Sequence, residues 1–99
     1  MALRQHSRGE RLSEIFRRDG SQCVWCGHRL EEGSVFATLE HVIPKLKGGP
    51  AWIENEALAC RNCNNERGHT APAEWLRCCF EKGKTPALEV IRMRLLELE

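Results

Sequence analysis

Two closely spaced cysteine pairs, Cys23/Cys26 and Cys60/Cys63, constrain the fold of this chain more than any other feature. Thiolates three residues apart can hold one side of a tetrahedral metal ion, and two such pairs complete a coordination shell that suits Zn²⁺. A chain of 99 residues buries only a modest core, which a structural metal would stabilise. The 33 residues between Cys26 and Cys60 exceed the spacer of a compact zinc finger, so this segment must have structure of its own.

The alternative for these cysteines is a pair of disulfides or a set of ordinary buried thiols. The first eleven residues include three arginines, a histidine and a glutamate, and they lack the apolar stretch of a secretory signal. An oxidising destination is therefore unsupported, and we expect bound zinc, a cytoplasmic location and no membrane span. Cys78 and Cys79 are adjacent and have no second pair, which favours packed thiols over ligands, with one exposed thiol as the alternative.

The apolar pattern predicts an α+β fold in a single domain that spans 1–99. Apolar residues at helical spacing predict a helix over 10–18, and alternating side chains over 35–40 predict a strand. A return strand or an irregular segment over 56–60 leads to the second cysteine pair, and 63–67 should open a short helix.

The C-terminal third, 70–98, is predicted to be a helical extension. Thr70 and Thr85 each precede a first turn that contains proline, which is typical of a helix start. The second of these helices has a predicted apolar stripe of Leu88, Ile91, Leu95 and Leu98. This stripe is expected to face the core, and a surface that binds a partner is the alternative.

The charge distribution is uneven, although the formal net charge is only +1. Residues 1–20 hold five arginines against three acids, whereas residues 21–70 hold five basic and six acidic side chains. Net charge therefore gives no argument for nucleic-acid binding. The basic segment that includes Arg17 and Arg18 is the best electrostatic candidate for DNA, and a solvated helix face is the alternative.

The cysteine pairs belong to an ordered set of motifs that resembles the HNH endonuclease family. In this chain the set is Arg18-Asp19-Gly20, Cys23, Cys26-Gly27, Glu40-His41-Val42-Ile43-Pro44, Gly48-Gly49, Asn55, Leu58, Cys60 and Cys63-Asn64-Asn65-x-Arg67-Gly68. The resemblance covers residues 11–68, the core of the predicted domain. It implies a ββα-metal finger, in which two short antiparallel strands and a helix clasp a catalytic divalent ion, stapled here by a four-cysteine zinc site and flanked by helices.

The resemblance also implies roles for the polar residues of the motif. Glu40 and Asn64 would supply oxygen ligands to the catalytic ion, which favours Mg²⁺ or Mn²⁺. His41 would be the general base, because imidazole titrates near neutral pH, and Asn55 would brace the loop and orient that base. Asn65 is the alternative to Asn64, although the spacing to the following Arg-Gly favours Asn64. Position 40 is more often Asp in this family, so the longer carboxylate must retract or the ion must shift.

The predicted nucleic-acid-binding residues are Arg17, Arg18, Lys45, Lys47 and Arg67. Arg67 stands where the family has lysine or arginine, and both a phosphate contact and a helix-terminal surface position stay open for it. The sequence shows no helix-turn-helix or appended specificity domain. We therefore expect weak sequence specificity and nicking, unless a homodimer or a larger partner protein supplies a second site.

The leading hypothesis is a metal-dependent HNH endonuclease that hydrolyses DNA and leaves 5′-phosphate and 3′-hydroxyl ends, as the resemblance implies. The competing hypothesis is a non-catalytic zinc module that binds DNA or protein. Such a module would need the cysteines but would not require Glu40, His41, Asn55 and Asn64 together. A nuclease directed at RNA would share every catalytic residue, and only substrate tests separate it from a DNA nuclease.

Overall fold

A two-stranded antiparallel sheet is the centre of the computed structural model, which describes residues 7–50 and 52–97. The main elements, in chain order, are α1 (Arg8–Asp19), β1 (Ala37–His41), β2 (Glu56–Cys60), α2 (Arg61–Arg67), α3 (Pro72–Glu81) and α4 (Leu88–Glu97). Single 3₁₀ turns occur at Lys45–Lys47 and Ile53–Asn55, in the loop between the strands. The predicted α+β class is confirmed, with β1, β2 and α2 as the ββα unit and helices on either side of it in the chain.

Helix α1 begins with a capping box. Ser7 Oγ accepts the N–H of Glu10 at 3.1 Å, and Glu10 Oε1 accepts the N–H of Ser7 at 2.8 Å. This exchange satisfies two N–H groups that have no partner within a helix start. Ile15 and Phe16 are buried in the core, and Gly20 ends the helix at a φ of 93°. The predicted helix is confirmed, and it begins at Arg8 and ends at Asp19, slightly beyond both ends of the predicted 10–18.

Strands β1 and β2 pair antiparallel over the full length of both strands. The register sets Glu40 opposite Ala57 and His41 opposite Glu56. Residues directly opposite each other have Cβ atoms about 5 Å apart, so the backbone itself brings His41 and Glu56 side by side. The return strand predicted over 56–60 is confirmed, and the irregular alternative is wrong.

The loop between the strands is held by Asn55, whose side chain is fully buried. Asn55 Oδ1 accepts the N–H of Ile43 at 2.9 Å, and Nδ2 donates to the carbonyl oxygens of Ile43 at 3.0 Å and Pro50 at 2.9 Å. Gly49 lies against the same backbone. A Cβ at position 49 would lie 1.7 Å from Ile43 O and 2.9 Å from Asn55 Nδ2, so no side chain fits there.

Helix α2 follows β2 without a loop. Cys60 is the last residue of the strand and the N-cap of the helix, and its Sγ accepts the N–H of Cys63 at 3.4 Å. The helix ends at Gly68, where φ is 58°. Helix α2 therefore starts slightly earlier than the predicted 63–67, because Cys60 caps it.

Helices α3 and α4 confirm that the C-terminal third is helical, but α4 begins later than the proline after Thr85 indicates. The N–H of Ala87 donates to Val24 O at 2.8 Å. This bond ties the segment to the first cysteine pair before the helix begins at Leu88.

The predicted apolar stripe of α4 is only partly a core face. Ile91 is buried, but Leu88 is 52% exposed, so the prediction is wrong for Leu88. The buried face runs through Ile91 and Arg94, because the Arg94 guanidinium reaches inward to Asp19 of α1, with an Nη1–Oδ1 distance of 3.5 Å. Leu98, the last predicted member of the stripe, lies outside the described residues.

Two buried tryptophans join the first cysteine pair to α3. The ring centroids of Trp25 and Trp75 are 6.3 Å apart, and the rings are perpendicular at 89°. This edge-to-face arrangement is favourable for aromatic rings, typically by about 1 kcal/mol beyond their burial. Helix α3 therefore packs into the same core as the cysteine segment and the sheet.

We expect Gly49→Ala to lower the free energy of unfolding by about 2 kcal/mol, because the added methyl group must displace the backbone of Ile43 or the side chain of Asn55. Urea denaturation of the metal-loaded protein measures this loss. Gly9→Ala is the matched control, since a Cβ at Gly9 meets nothing within 4 Å and alanine favours a helix. Equal unfolding free energies for the two variants would contradict the close packing at Gly49.

Candidate active site and metal centre

The sulfur atoms of the two cysteine pairs converge. The four Sγ atoms of Cys23, Cys26, Cys60 and Cys63 all lie within 4.8 Å of one another, and those of Cys26 and Cys60 are 3.9 Å apart. Tetrahedral Zn²⁺ with Zn–S bonds of about 2.3 Å requires sulfurs about 3.8 Å apart. The cluster therefore has the ligand type, number and spacing of a structural zinc site, as the sequence predicts.

Two hydrogen-bond donors lie next to sulfur atoms of this cysteine cluster. Lys84 Nζ lies 3.2 Å from Cys63 Sγ, and the N–H of Trp25 lies 3.4 Å from Cys23 Sγ. Four thiolates around a divalent ion carry net negative charge, which the Lys84 ammonium partly offsets. Burial raises the pKa of the Cys23 thiol to about 11, so metal binding near neutral pH must release its proton.

A small cleft lies where the C-terminal ends of β1 and α2 meet. Its volume is about 120 Å³. It is lined by Glu40, His41, Pro44, Lys45, Asn64, Gly68 and His69. Three predicted catalytic residues, Glu40, His41 and Asn64, thus share one cleft. Because a water molecule takes up about 30 Å³ in the liquid, the cleft has room for a hydrated ion or one phosphate group.

The hydrogen bonds of Asn64 fix the orientation of its amide. Thr38 Oγ1 donates to Ala59 O at 2.7 Å, so this hydroxyl can only accept from Asn64. Asn64 Nδ2 donates to Thr38 Oγ1 at 3.0 Å and to Leu39 O at 3.2 Å. Asn64 Oδ1 must therefore point away from β1, and no donor in the described part of the chain engages it. Asn65 is exposed and does not line the cleft, which agrees with the choice of Asn64.

The carboxylate of Glu40 is buried and held on one side. Trp25 Nε1 donates to Glu40 Oε2 at 2.8 Å, and Arg67 Nη1 lies 3.5 Å from the same oxygen. Burial raises the pKa of the Glu40 carboxyl, while the Arg67 charge and the Trp25 bond oppose this rise. Both contacts fall on Oε2 and keep Oε1 clear of these two donors.

The imidazole of His41 lies between the cleft and Glu56. Its Nε2 is 3.6 Å from Glu56 Oε2, across the two strands. Burial lowers the pKa of His41, the nearby Glu56 carboxylate opposes this effect, and the Lys45 charge adds to it. The ring is therefore neutral at neutral pH, which is the form that can take a proton.

The structure buries Arg67. The two roles predicted for it from the sequence, a phosphate contact and a helix-terminal surface position, both favour an exposed side chain. Arg67 is only 2% exposed. Its Nε donates to Thr70 O at 2.8 Å, Nη1 to His41 O at 2.9 Å and Nη2 to Val42 O at 2.6 Å. Its guanidinium carbon also lies 5.0 Å from the centroid of the Trp25 ring. The helix-terminal surface position is therefore wrong for Arg67, and every contact named here holds its guanidinium within the protein.

Arg18 is likewise engaged within the protein, while Arg17 lies at the surface. Arg18 donates to Ile53 O at 2.9 Å and to Glu56 O at 2.7 Å, which ties α1 to β2. Arg17 is exposed and pairs with Glu14 on the same helix at 2.7 Å. Neither arginine lines the cleft. Both arginines are exposed, and the DNA contacts predicted for Arg17 and Arg18 stay predictions.

Lys45 and Lys47 are both exposed and belong to the same 3₁₀ turn. Lys45 lines the cleft, so its ammonium group can approach an anion bound there. Lys47 lies two residues later in the same turn and is not among the residues that line the cleft. Of the five predicted nucleic-acid-binding residues, Lys45 is therefore the best placed for a phosphate near the candidate site.

The sequence analysis missed two residues that contact the site. Trp25 holds the Glu40 carboxylate through its indole N–H, and Glu56 faces His41. The position of Glu56 could have been predicted from the sequence, because antiparallel pairing of β1 with 56–60 places Glu56 opposite His41 once the register is known. The Trp25 contact depends on how the first cysteine pair folds over the sheet, and no local pattern encodes it.

A profile of HNH endonucleases matches residues 23–79, more than half of the chain. The chain belongs to the HNH endonuclease family. The match begins at the first cysteine of the cluster and extends beyond the 11–68 resemblance, into α3 of this HNH endonuclease domain. A search of curated proteins finds no match. Among the residues that the structure describes, no helix combines the length and the apolar character needed to cross a membrane.

We expect the HNH domain to bind one Zn²⁺ per chain through the cysteine cluster and to lose its cooperative thermal transition when zinc is removed. Elemental analysis and thermal melts with and without a strong chelator measure both effects. Cys60→Ser should abolish zinc binding and the transition together, because Cys60 is both a ligand and the cap of α2.

Cys78→Ser is the matched control, since Cys78 lies outside the cluster. It should retain zinc and melt cooperatively. A wild-type protein that melts at the same temperature with and without zinc would contradict the structural role of the metal.

Proposed function

We propose that this HNH endonuclease is active as a metal-dependent phosphodiester hydrolase that acts on DNA. The observation that supports the proposal is that His41, Glu40 and Asn64 all line one cleft of about 120 Å³. These residues offer a base and two oxygen ligands, which are the groups that hydrolysis of a phosphodiester needs. Family membership supports a nuclease-type function.

His41 acts as the general base. Its neutral imidazole takes a proton from the attacking water, the resulting hydroxide bonds to phosphorus, and the 3′ oxygen of the preceding nucleotide leaves with the P–O electron pair. The leaving 3′ oxygen takes a proton from solvent water and His41 later returns its proton to solvent, so the products are a 5′-phosphate and a 3′-hydroxyl end. The lowered pKa of His41 keeps the imidazole unprotonated near neutral pH, so the base is ready before substrate arrives.

Glu40 and Asn64 would hold the catalytic divalent ion. The donor set fits Mg²⁺ or Mn²⁺, because it offers a carboxylate and an amide oxygen whose orientation the bonds to β1 fix. When bound, such an ion neutralises the negative charge that develops on the phosphate and on the leaving oxygen. Cysteine sulfur is absent from the residues that line this cleft, so the zinc site and the catalytic site are chemically separate.

Lys45 and Lys47 would contact the phosphate backbone near the cleft. Contacts to phosphate position a nucleic acid but carry no sequence information. We therefore propose weak sequence specificity and single-strand nicking. Cleavage of both strands would require a second active site from another copy of the chain or from a partner protein.

The proposal predicts that metal-stripped protein reloaded with zinc nicks supercoiled plasmid when Mg²⁺ or Mn²⁺ is added. His41→Ala should reduce the nicking rate by at least about 100-fold, because the general base is lost. Gel electrophoresis of plasmid topoisomers measures the rate, and zinc content verifies that the variant is folded. His28→Ala is the matched control, since His28 is exposed and lies outside the cleft.

The other hypotheses give different results in the same assay. A zinc scaffold without activity would leave both plasmid and single-stranded RNA intact with every ion, and this result would overturn the proposal. Cleavage of RNA but not of DNA, lost in His41→Ala, would retain the chemistry and change the substrate. Cleavage of DNA that His41→Ala retains would reject His41 as the base.

A further inference from the structure

We infer that Glu56 is a positioning residue, which holds the imidazole of His41 with its Nε2–H toward the sheet and its Nδ1 lone pair available to water. This inference rests on the proposed function, because it assigns a role to Glu56 in the base step of that reaction. Neither family membership nor the HNH motif assigns a role to the residue that follows Asn55.

The sheet register brings the two side chains together. His41 is the last residue of β1 and Glu56 is the first residue of β2, and the two are direct partners across the strands. Glu56 is fully buried, while the His41 side chain is 25% exposed. The carboxylate therefore approaches the ring from the protein interior, and Glu56 is not among the residues that line the cleft.

The atoms that face each other are both left without a hydrogen-bond partner within the described residues. His41 Nε2 and Glu56 Oε2 are buried, and they lie 3.6 Å apart. A buried polar atom without a partner typically costs about 1–3 kcal/mol of stability, so a hydrogen bond between these two atoms would remove that cost for both. A movement of about 0.7 Å would bring them to ordinary hydrogen-bond distance, and catalytic hydrogen bonds commonly shorten when substrate binds.

The other carboxylate oxygen of Glu56 is already fixed. Arg11 Nε of α1 donates to Glu56 Oε1 at 2.9 Å, and Arg18 donates to the backbone carbonyl of Glu56 at 2.7 Å. With Oε1 held by Arg11, Oε2 remains directed at His41. Helix α1 thus locks the carboxylate in the rotamer that faces the imidazole.

This contact determines which ring nitrogen can act as the base. A carboxylate can only accept, so a hydrogen bond from His41 Nε2 requires the proton to be on Nε2. The lone pair is then on Nδ1, which takes the proton from water, and Glu56 stabilises the positive charge that the ring acquires without becoming protonated itself. A buried carboxylate that orients a catalytic histidine in this way can change the rate by orders of magnitude.

The test is Glu56→Gln, because glutamine keeps the shape but replaces one oxygen by a donor. Arg11 should hold the amide oxygen, which leaves the amide N–H₂ facing His41 Nε2. The ring must then accept at Nε2 and place its proton on Nδ1, which is the wrong tautomer for the base step. Glu66→Gln is the matched control, since Glu66 is an exposed carboxylate that pairs with Lys82 and Lys84 and lies outside the cleft, and the zinc content of this variant verifies that the cysteine cluster is intact.

Two measurements read the outcome in zinc-loaded protein. Long-range ¹H–¹⁵N correlation spectra at about pH 8, where imidazole is neutral, give the tautomer of His41 without requiring activity. We expect the Nε2–H form in the wild type and in Glu66→Gln, and the Nδ1–H form in Glu56→Gln. Plasmid nicking by Glu56→Gln should show a kcat lower by about 100-fold with little change in KM, because substrate binding is untouched.

An Nδ1–H tautomer in the wild type would overturn the inference even if no variant folds. So would a Glu56→Gln protein that keeps the Nε2–H form and the wild-type kcat. Glu56→Asp retains an acceptor and should keep the Nε2–H form, which separates loss of the carboxylate from loss of packing. If the wild type cleaves no nucleic acid, the proposed function fails, whereas the tautomer spectra still support or reject the contact with Glu56.

Discussion

The four-cysteine cluster is the constraint on which the rest of the structure depends. Cys60 is at once a member of the cluster, the last residue of β2 and the N-cap of α2. The N–H of Val24, between the first two cysteines, donates to Leu58 O of β2 at 2.7 Å. A two-stranded sheet is marginal in water by itself. A metal ion held by the four cysteines, together with this bond, would therefore maintain the register that sets His41 beside Glu56.

The buried guanidinium of Arg67 holds the end of β1 that borders the candidate site. The Arg67 guanidinium donates to the carbonyls of His41 and Val42, and it lies 3.5 Å from the carboxylate of Glu40. A buried charge is tolerated only when it is paired and hydrogen-bonded, and here the partners are the backbone and a side chain of the candidate site itself. Burial of Arg67 therefore couples the folding of α2 to the placement of His41, while Lys45 stays exposed at the cleft.

The sequence was sufficient to predict the parts of the site that local patterns encode. Cysteine spacing predicted the cluster, and alternation predicted β1, although the strand begins at Ala37 and not at Val35. The motif placed Glu40, His41 and Asn64 in one cleft. The roles of Arg67 and Glu56 could not be read in this way, because each depends on a tertiary contact. An arginine at a helix end is usually exposed, and only the packing of α2 on β1 reveals the carbonyls that bury this one. The acid opposite His41 becomes visible only when the strand register is known.

We propose that one small fold holds two chemically distinct metal sites, with sulfur ligands for structure and oxygen ligands for chemistry. The most direct test is a crystal structure of the zinc-loaded protein soaked with Mn²⁺, with anomalous difference maps collected at the zinc and manganese absorption edges. We expect a zinc peak among the four cysteine sulfurs and a manganese peak between Glu40 and Asn64, on the side of the cleft that His41 faces. Manganese at the cysteines, or an empty cleft beside fully occupied zinc, would contradict the two-site proposal.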